Sequence, residues 1–293
     1  MDDETAAATA TAQAGADGAW QTVHGPFAEA SRSPPAAALP DLILLNQDLP
    51  AAVAAFLWPQ TRVRVCADGA ANALRRLRRP AWRPDAIVGD LDSITADVRA
   101  WYADALGVPL VHVADQDRTD LQKCIAYLTD RAAAPAAATD QAAATPPTHS
   151  ILVWGALTGR FDHVLSAVHT AFAAARHVRL WLISPTSVAF VLPGPGRYRL
   201  LPAAGGGVAM GPTCGLVPFV GPVAAATRGL RWDLEPSTPL VFGSFISTSN
   251  QLDPASDDGA VTIAVDRPVL WTQEILAWPE PHDASGAVER AAR

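Results

Sequence analysis

Five short apolar runs alternate with helical patterns in the first half of the chain. They lie at residues 41–46, 63–69, 86–90, 108–115 and 151–156. Each run is rich in β-branched or other apolar residues, ends near Gly, Asp or Asn, and precedes a segment with apolar residues at helical spacing. Strands that alternate with helices form a parallel sheet covered on both sides. Residues 39–183 are therefore predicted to form a Rossmann-like α/β domain.

The pattern changes after residue 183. Short β-rich runs such as SVAFVL and AVTIAV follow one another, and Gly and Pro separate them, as in PGPG at 193–196. This succession is typical of antiparallel sheets, so residues 184–293 are predicted to form an all-β sandwich domain. The predicted fold class is α/β, with a parallel-sheet domain followed by a β-sandwich.

Two segments show neither pattern. Residues 1–38 consist largely of Ala, Thr, Gly, Ser and Pro, and a disordered extension is predicted because they bury too little apolar surface to offset ordering entropy. An Ala-, Pro- and Thr-rich tract at 132–148 predicts a low-complexity insertion in a loop.

Charge and cysteine content narrow the class of protein. The net charge is -7, and only one arginine-rich cluster, at 75–79, breaks the scatter of basic residues, so nucleic acid is not expected as a partner. Three widely spaced cysteines fit neither a disulfide framework nor a zinc site. No run approaches the roughly 20 apolar residues of a membrane-spanning helix, and the acidic N-terminus is unlike a leader. A cytoplasmic protein without a membrane partner is predicted.

Six carboxylates follow three consecutive predicted strands. They are Asp68, Asp90, Asp92, Asp115, Asp117 and Asp120. Because ligands of such sheets bind at the carboxyl ends of the strands, these side chains are expected to converge at one edge. Unpaired carboxylates repel one another, and a divalent cation relieves that repulsion. Hard oxygen ligands favour Mg²⁺ or Ca²⁺, so the acids predict a metal site.

The same acids are also typical turn and N-cap residues. Thr119 and Gln122 match a capping box, with Thr119 as the N-cap and Gln122 as the third helical residue. Any single acid could therefore serve only a turn. Three clusters at consecutive strand ends favour a shared site.

The segment WGALTGRFDH, at 154–163, predicts a phosphate-binding loop. Gly155 and Gly159 let the backbone approach a ligand, the next helix offers free N–H groups, and Arg160 can clamp phosphate oxygens. It is not a Walker A sequence. A tight turn with Asp162 capping the helix is the alternative interpretation.

Two segments of the β half carry candidate ligand-binding residues. Trp232 in GLRWDL could stack on a heterocycle, and Ser247, Ser249 and Asn250 could form hydrogen bonds to it. Packing of the tryptophan in the core and an ordinary turn at 247–250 are the alternatives.

Six motifs, in order, resemble the thiamine pyrophosphokinase family, particularly its eukaryotic type. They are CADGAAN, PDAIVGDLDS, DQDRTDLQKC, GALTGRFDH, GLRWDL and FISTSN. The resemblance covers residues 41–276 except the insertion. It implies transfer of the pyrophosphoryl group of ATP to thiamine, giving thiamine diphosphate and AMP. It also implies Mg²⁺, ATP as co-substrate, and a homodimer with the active site at the subunit interface.

The resemblance also implies roles for individual residues. The metal would be held by Asp90, Asp92 and Asp120. The catalytic set would be Asp90, Asp92, Asp117, Asp120 and Arg160. The nucleotide would be bound by Asp68, Gly69, Asn72, Thr119, Gly159, Arg160 and Asp162. Thiamine would be received by Gln116, Trp232, Ser247, Ser249 and Asn250, the last four from the second subunit.

Some questions stay open at the level of sequence. Either Asp92 or Asp117 could take the hydroxyl proton of thiamine. A non-catalytic thiamine or nucleotide sensor and a metal-dependent phosphohydrolase of related fold are alternative functions. The chain departs from the family pattern in its N-terminal extension, its insertion, and GAL where a second glycine is more usual.

Overall fold

The structure of the protein is a computed structural model that describes residues 19–27, 39–132, 149–201, 207–256 and 259–280. The predictions of disorder for residues 1–18 and 28–38 lie outside these residues. The same holds for the predicted insertion from residue 133 to 148. Within the described ranges, no helix is long and apolar enough to cross a membrane.

The described residues form fourteen strands and five α-helices. The strands are β1 Gln21–His24, β2 Asp41–Leu44, β3 Arg64–Ala67, β4 Ala86–Gly89, β5 Leu110–His112, β6 Ser150–Trp154, β7 Arg179–Ile183, β8 Ser187–Leu192, β9 Gly196–Leu201, β10 Ala209–Val217, β11 Ala225–Arg228, β12 Ser247–Gln251, β13 Val261–Val265 and β14 Val269–Ala277. The helices are α1 Ala51–Leu57, α2 Ala70–Arg76, α3 Ala96–Ala100, α4 Asp120–Ala132 and α5 Phe161–Ala174. A 3₁₀ turn, Trp58–Gln60, extends α1, and a π-helical turn, Trp101–Ala105, extends α3.

A single ten-stranded sheet runs through the molecule in the order β12-β10-β14-β8-β7-β6-β2-β3-β4-β5. From β7 to β5 every neighbouring pair is parallel. From β7 to β12 every pair is antiparallel. A smaller sheet has the order β1-β9-β13-β11. The fold is therefore a mixed α/β fold in which the parallel strands and four of the later antiparallel strands belong to one sheet.

Helices cover both faces of the parallel part, because successive residues of a strand point to opposite faces. On β2, Leu42 and Leu44 join an apolar cluster with α1, α2 and α3, whereas Ile43 joins a second cluster with α4 and α5. The sequence prediction of a parallel sheet covered on both sides is confirmed in this respect. This layering leaves the carboxyl edge of the strands free for a site.

One part of the predicted disordered extension is ordered, which corrects the prediction for residues 21–24. Strand β1 pairs in parallel with β9, and Phe27 just beyond it is buried. The Phe27 ring lies 5.8 Å from that of Phe56 and 5.3 Å from that of Trp278, measured between centroids. A four-residue strand is too short to show a period, and its partners lie far along the chain. Local sequence therefore could not reveal it.

Replacing Phe27 with alanine tests whether this N-terminal contact stabilises the fold. We expect Phe27→Ala to lower the free energy of unfolding by about 3 kcal/mol, because it empties a site between two aromatic rings. Trp20→Ala, which removes a partly exposed ring that lies 4.2 Å from the Arg197 guanidinium, is the comparison and should cost at most about 1 kcal/mol. Urea unfolding of the full chain measures both. Equal, small effects would mean that the contacts of Phe27 add little to stability.

Candidate functional site

Three carboxylates meet at the carboxyl edge of the parallel strands. Asp68 follows β3, Asp90 follows β4, and Asp120 is the first residue of α4. One oxygen from each side chain lies within 4.8 Å of the other two. We call these three residues the carboxylate group. Three hard oxygen ligands at such spacing are the donor set that Mg²⁺ or Ca²⁺ prefers.

The last residue of β4 permits this close approach. A Cβ atom on Gly89 would lie 2.8 Å from the Cβ of Asp68 and 3.2 Å from Oδ1 of Asp120. Any side chain at this position would push the two acids apart. The glycine of the VGDLDS motif is therefore required by the geometry of the carboxylate group.

The Asp68 side chain is held in place by two backbone hydrogen bonds. Its backbone has φ of 37°, and its buried carboxylate accepts the N–H groups of Ser93 at 2.9 Å and Ile94 at 3.1 Å. Burial raises the pKa of Asp68, the two backbone hydrogen bonds oppose that rise, and the charge of Asp120 adds to it. The sequence assigned Asp68 to the nucleotide side. The structure puts it in the carboxylate group, where it accepts hydrogen bonds from the loop after β4.

A buried ammonium group accompanies the acids. Nζ of Lys123 lies 3.2 Å from Oδ1 of Asp120 and 3.7 Å from Oδ2 of Asp90. Burial alone would raise the pKa of Asp90, but the Lys123 charge and hydrogen bonds involving Asp92 and Gln116 outweigh it and lower that pKa. Sequence reasoning missed this lysine. The signal was present, since Lys123 is the single lysine of the chain.

The loop that carries Asp90 and Asp92 is fastened by Asn72. The amide of Asn72 donates to the carbonyl of Ser93 at 2.9 Å and accepts the N–H of Thr95 at 3.1 Å. The resemblance implied that Asn72 would contact or shape the nucleotide side, and in the structure its hydrogen bonds go to the loop. Gly69 leaves room for neighbouring side chains, because a Cβ there would come within 2.5 Å of Nδ2 of Asn46.

The remaining predicted acids are not members of the carboxylate group. Asp92 accepts the hydroxyl of Ser93 at 2.9 Å and stays outside the set of three. The N–H of Asp117 donates to Asp115 at 2.9 Å in a local turn, and Asp117 is exposed. The metal set predicted from sequence thus differs from the structural group by one residue, Asp68 in place of Asp92.

The predicted capping box at the start of α4 is confirmed. The N–H of Thr119 donates to the side-chain oxygen of Gln122 at 3.0 Å, and the N–H of Gln122 donates to the hydroxyl of Thr119 at 3.4 Å. These bonds fix the first turn of α4. Asp120 and Lys123 project from that turn and its continuation, so the cap also positions two charged groups of the site.

A cleft of about 540 Å³ opens beside the carboxylate group. It is lined from the ends of β2, β3, β4 and β6 and from the first turns of α4 and α5. The predicted residues along it are Asp90, Gln116, Thr119, Asp120 and Arg160. Asn46, Gln47 and Lys123 line it as well, and sequence reasoning did not single them out.

The glycine loop forms one wall of this cleft. Gly155 and Gly159 have φ of 85° and 83°, in the left-handed region that favours glycine. A Cβ on either would come within 2.8 Å of the Gln47 side chain. The guanidinium of Arg160 donates to both carboxylate oxygens of Asp162, at 3.1 and 2.6 Å, and both side chains are exposed. Arg160 is thus a solvent-accessible cation at the start of α5.

The candidate thiamine residues of the β half form their own cluster. Asn250 is buried; its amide donates to the carbonyl of Trp232 at 2.8 Å and accepts the N–H of Trp232 at 3.3 Å. It also donates to the hydroxyl of Ser247, which is buried, at 3.2 Å. Asn250 and Ser247 therefore fasten the turn that presents Trp232. The Trp232 side chain is 54% exposed, so core packing does not account for it. Ser249 is exposed, with φ of 58°.

The two clusters lie far apart in one chain. Strand β12, which carries Ser247, Ser249 and Asn250, is at one edge of the large sheet, and seven strands separate it from β4. With about 4.8 Å between neighbouring strands, eight steps span roughly 38 Å of an uncurved sheet. The structure does not bring these residues to the carboxylate group of the same chain.

The fold and site place the chain in a class of α/β proteins with a ligand cleft at the carboxyl ends of parallel strands. Comparison with known proteins is more specific. The family model described as the catalytic domain of thiamin pyrophosphokinase matches residues 54–182. The model described as its vitamin B1 binding domain matches residues 201–270. The chain belongs to the thiamin pyrophosphokinase family.

Individual relatives agree with the family models. Thiamine pyrophosphokinase 3 of Oryza sativa subsp. japonica is 35% identical over 246 residues, which cover 79% of this chain and 85% of that protein. Thiamine pyrophosphokinase 1 of Arabidopsis thaliana is 34% identical over 248 residues, covering 80% and 85%. The fold is similar to the crystal structure of yeast thiamin pyrophosphokinase, with a TM-score of 0.72 at 21% identity over 87% of this chain and 91% of that chain.

Replacing Asn72 tests whether it acts through the loop. We expect Asn72→Ala to lower the free energy of unfolding by about 1–2 kcal/mol and to weaken Mn²⁺ binding, because the loop behind Asp90 loses its fastening bonds. Urea unfolding and metal titration measure the two effects. Gln60→Ala removes a part-buried bond to the Phe56 carbonyl away from the cleft, and should lower stability without changing metal binding. An unchanged stability with a raised KM for ATP would instead support direct nucleotide contact.

Proposed function

We propose that the protein transfers the pyrophosphoryl group of ATP to the hydroxyethyl oxygen of thiamine, giving thiamine diphosphate and AMP. The observation that carries this proposal is the carboxylate group beside a large cleft, in a chain that matches both domains of the family. The reaction requires charge neutralisation on the phosphate oxygens and in-line positioning of the hydroxyl. The cleft offers carboxylates for a metal and a cation, Arg160, for phosphate.

Mg²⁺ fits the residues present. Asp68, Asp90 and Asp120 supply hard oxygens close together, and Gly89 leaves the space in which they converge. When bound, the ion would supply electrostatic stabilisation of the polyphosphate. Asp92 and Gln116, next to Asp90, would orient that carboxylate. The sequence-based assignment of Asp92 as a further ligand stays a prediction.

The nucleotide is proposed to bind in the cleft, against the glycine loop and the start of α5. Free N–H groups at the start of a helix attract phosphate, and Gly155 and Gly159 allow close approach of the backbone. Arg160 would exchange Asp162 for phosphate oxygens, which is feasible because both side chains are exposed. Thr119 and Asp120 would face the same ligand from the first turn of α4.

Thiamine is proposed to bind against Trp232. Its thiazolium ring carries a permanent positive charge, and an exposed indole face attracts cations and heteroaromatic rings. The acidic edge of the sheet would attract the same charge. Gln116 lines the cleft and would meet thiamine from the α/β side. Asp92 and Asp117 both remain candidates for the base that takes the hydroxyl proton.

A homodimer would unite the two clusters. Trp232 and the carboxylate group are separated by most of the large sheet, so a complete site needs a second copy of the chain. An exposed apolar surface supports this arrangement. It consists of Phe161, Leu165, Phe219, Val220 and Phe242. The rings of Phe219 and Phe242 stack at 5.4 Å, and Phe219 also contacts Phe172 of α5 at 5.8 Å. Contiguous exposed apolar side chains are typical of protein interfaces.

Two further predictions accompany this proposal. The chain is proposed to work as an ATP-binding α/β domain, 39–183, followed by a thiamine-binding β-sandwich domain, 184–293, although one sheet crosses that boundary. A cytoplasmic location is proposed because Cys66, Cys124 and Cys214 are all unpaired and buried, as is common in a reducing compartment.

The activity itself is tested with purified protein. Incubation with ATP, thiamine and Mg²⁺ should yield thiamine diphosphate and AMP in equal amounts, measured by chromatography. Asp90→Asn should lower kcat by at least about a hundredfold, because it removes a charged ligand from the carboxylate group. ADP as the nucleotide product would contradict pyrophosphoryl transfer.

The shared site is tested by mixing two defective chains. Asp90→Asn and Trp232→Ala should each be poorly active at low thiamine, whereas their co-expressed mixture should recover about a quarter of wild-type activity, because each mixed dimer has one intact site. A mixture of Asp90→Asn with Asp120→Asn is the matched control and should recover nothing, since both changes lie in the same half-site. No recovery in the first mixture would place the whole site in one chain.

A further inference from the structure

The basic residues of this protein are unusual in one respect. The chain contains 22 basic residues, 21 arginines and one lysine, and that lysine is Lys123. It is also the most deeply buried of the charged side chains in the site apart from Asp68, at 4% exposure. A buried lysine is rare unless it is paired. Here the ammonium contacts two acids of the carboxylate group, Asp120 at 3.2 Å and Asp90 at 3.7 Å.

The position favours a lysine over an arginine for a steric reason. Lys123 lies on α4 between Leu121 and Cys124, which are both buried against the sheet. An ammonium is a compact point charge on a flexible stem, whereas a guanidinium is a broad planar fork with five donors. A compact ammonium therefore suits the space beside the two carboxylates, on a helix whose neighbouring residues are packed against the sheet.

The charges of the three carboxylates and of Lys123 add up to a net charge that one divalent cation would neutralise. When ionised, the three members of the carboxylate group carry three negative charges, and Lys123 offsets one of them. The remainder equals the charge of one divalent cation. A fixed ammonium close to the same acids repels an incoming metal ion, because like charges at such distances interact strongly in a partly buried site.

We propose that Lys123 is a built-in counter-cation that holds Asp90 and Asp120 together before metal arrives and restrains the binding of metal alone. It is a positioning residue, and its charge favours entry of the divalent ion together with the negatively charged polyphosphate over entry of the bare ion. This inference rests on the proposed Mg²⁺ site. Neither the DQDRTDLQKC motif nor the match to the family assigns Lys123 the role of counter-cation.

The sign of the change in metal affinity is the decisive measurement. We expect Lys123→Met to bind Mn²⁺, in the absence of nucleotide, at least about tenfold more tightly than wild type, because one repelling charge is gone. Its kcat should nevertheless fall, since Asp90 and Asp120 lose the group that positions them. Lys123→Arg keeps the charge and should not gain metal affinity. Electron paramagnetic resonance titration of full-length protein with Mn²⁺ measures all three.

A second measurement on the wild-type chain covers the case in which the variants do not fold. Because the protein has one lysine, isotope-labelled lysine gives a single side-chain signal in nuclear magnetic resonance. Titration with Mg²⁺ alone should shift that signal, and the same titration of Asp90→Asn should shift it less. A lysine signal that ignores Mg²⁺ while Mn²⁺ binds would overturn the proposal.

The outcomes separate this inference from the proposed metal site. If wild type binds Mn²⁺ and Asp90→Asn weakens that binding, the site stands. Unchanged or weaker binding by a folded Lys123→Met would then overturn only the role of the lysine. If neither wild type nor a folded Lys123→Met binds Mn²⁺, and the lysine signal is insensitive to Mg²⁺, both the metal site and the counter-cation role fail, whereas the assay for thiamine diphosphate still judges the activity separately.

Discussion

The site depends on bringing like charges together at one edge of a parallel sheet. Asp68, Asp90 and Asp120 repel one another, and the fold offsets this in three ways. Gly89 removes the side chain that would block their approach. Backbone N–H groups of the loop after β4 donate to Asp68, and the Lys123 ammonium lies beside the other two acids. Strand ends, loop and helix must therefore all be in place before the cluster can exist.

The same constraint explains how the surrounding elements are fastened. The side chains of Asp68 and Asn72 both form hydrogen bonds to the loop that follows β4. The capping box fixes the first turn of α4. These bonds limit the freedom of the acidic side chains in the site. A folded scaffold preorganises charge for phosphate chemistry in this way.

The ten-stranded sheet gives the molecule a second organising feature. It joins the parallel and antiparallel strands into one rigid layer, and it thereby keeps the Trp232 turn and the carboxylate group at separate places. Buried Asn250 and Ser247 make that turn a fixed platform for an exposed indole. The proposed pairing with another copy would bring both parts into one site, and the exposed phenylalanines around α5 offer an apolar surface for it.

Features that depend on neighbouring residues along the chain can be predicted from the amino-acid sequence. Strand and helix periods, the Thr119 capping box and the rule that acids at parallel strand ends share an edge were sufficient to predict parallel strands covered by helices and a convergence of six acids at one edge. Three of those six, Asp68, Asp90 and Asp120, meet in the structure. Other features depend on how the folded chain packs. They are the choice of acids that are close enough to share an ion, the burial of Lys123 among those acids, the hydrogen bonds from Asn72 to the loop after β4, and the pairing of β1 with β9. Apart from the pair formed by Lys123 and Asp120 within α4, these are contacts between residues distant in sequence, and their geometry is set by packing rather than by local pattern.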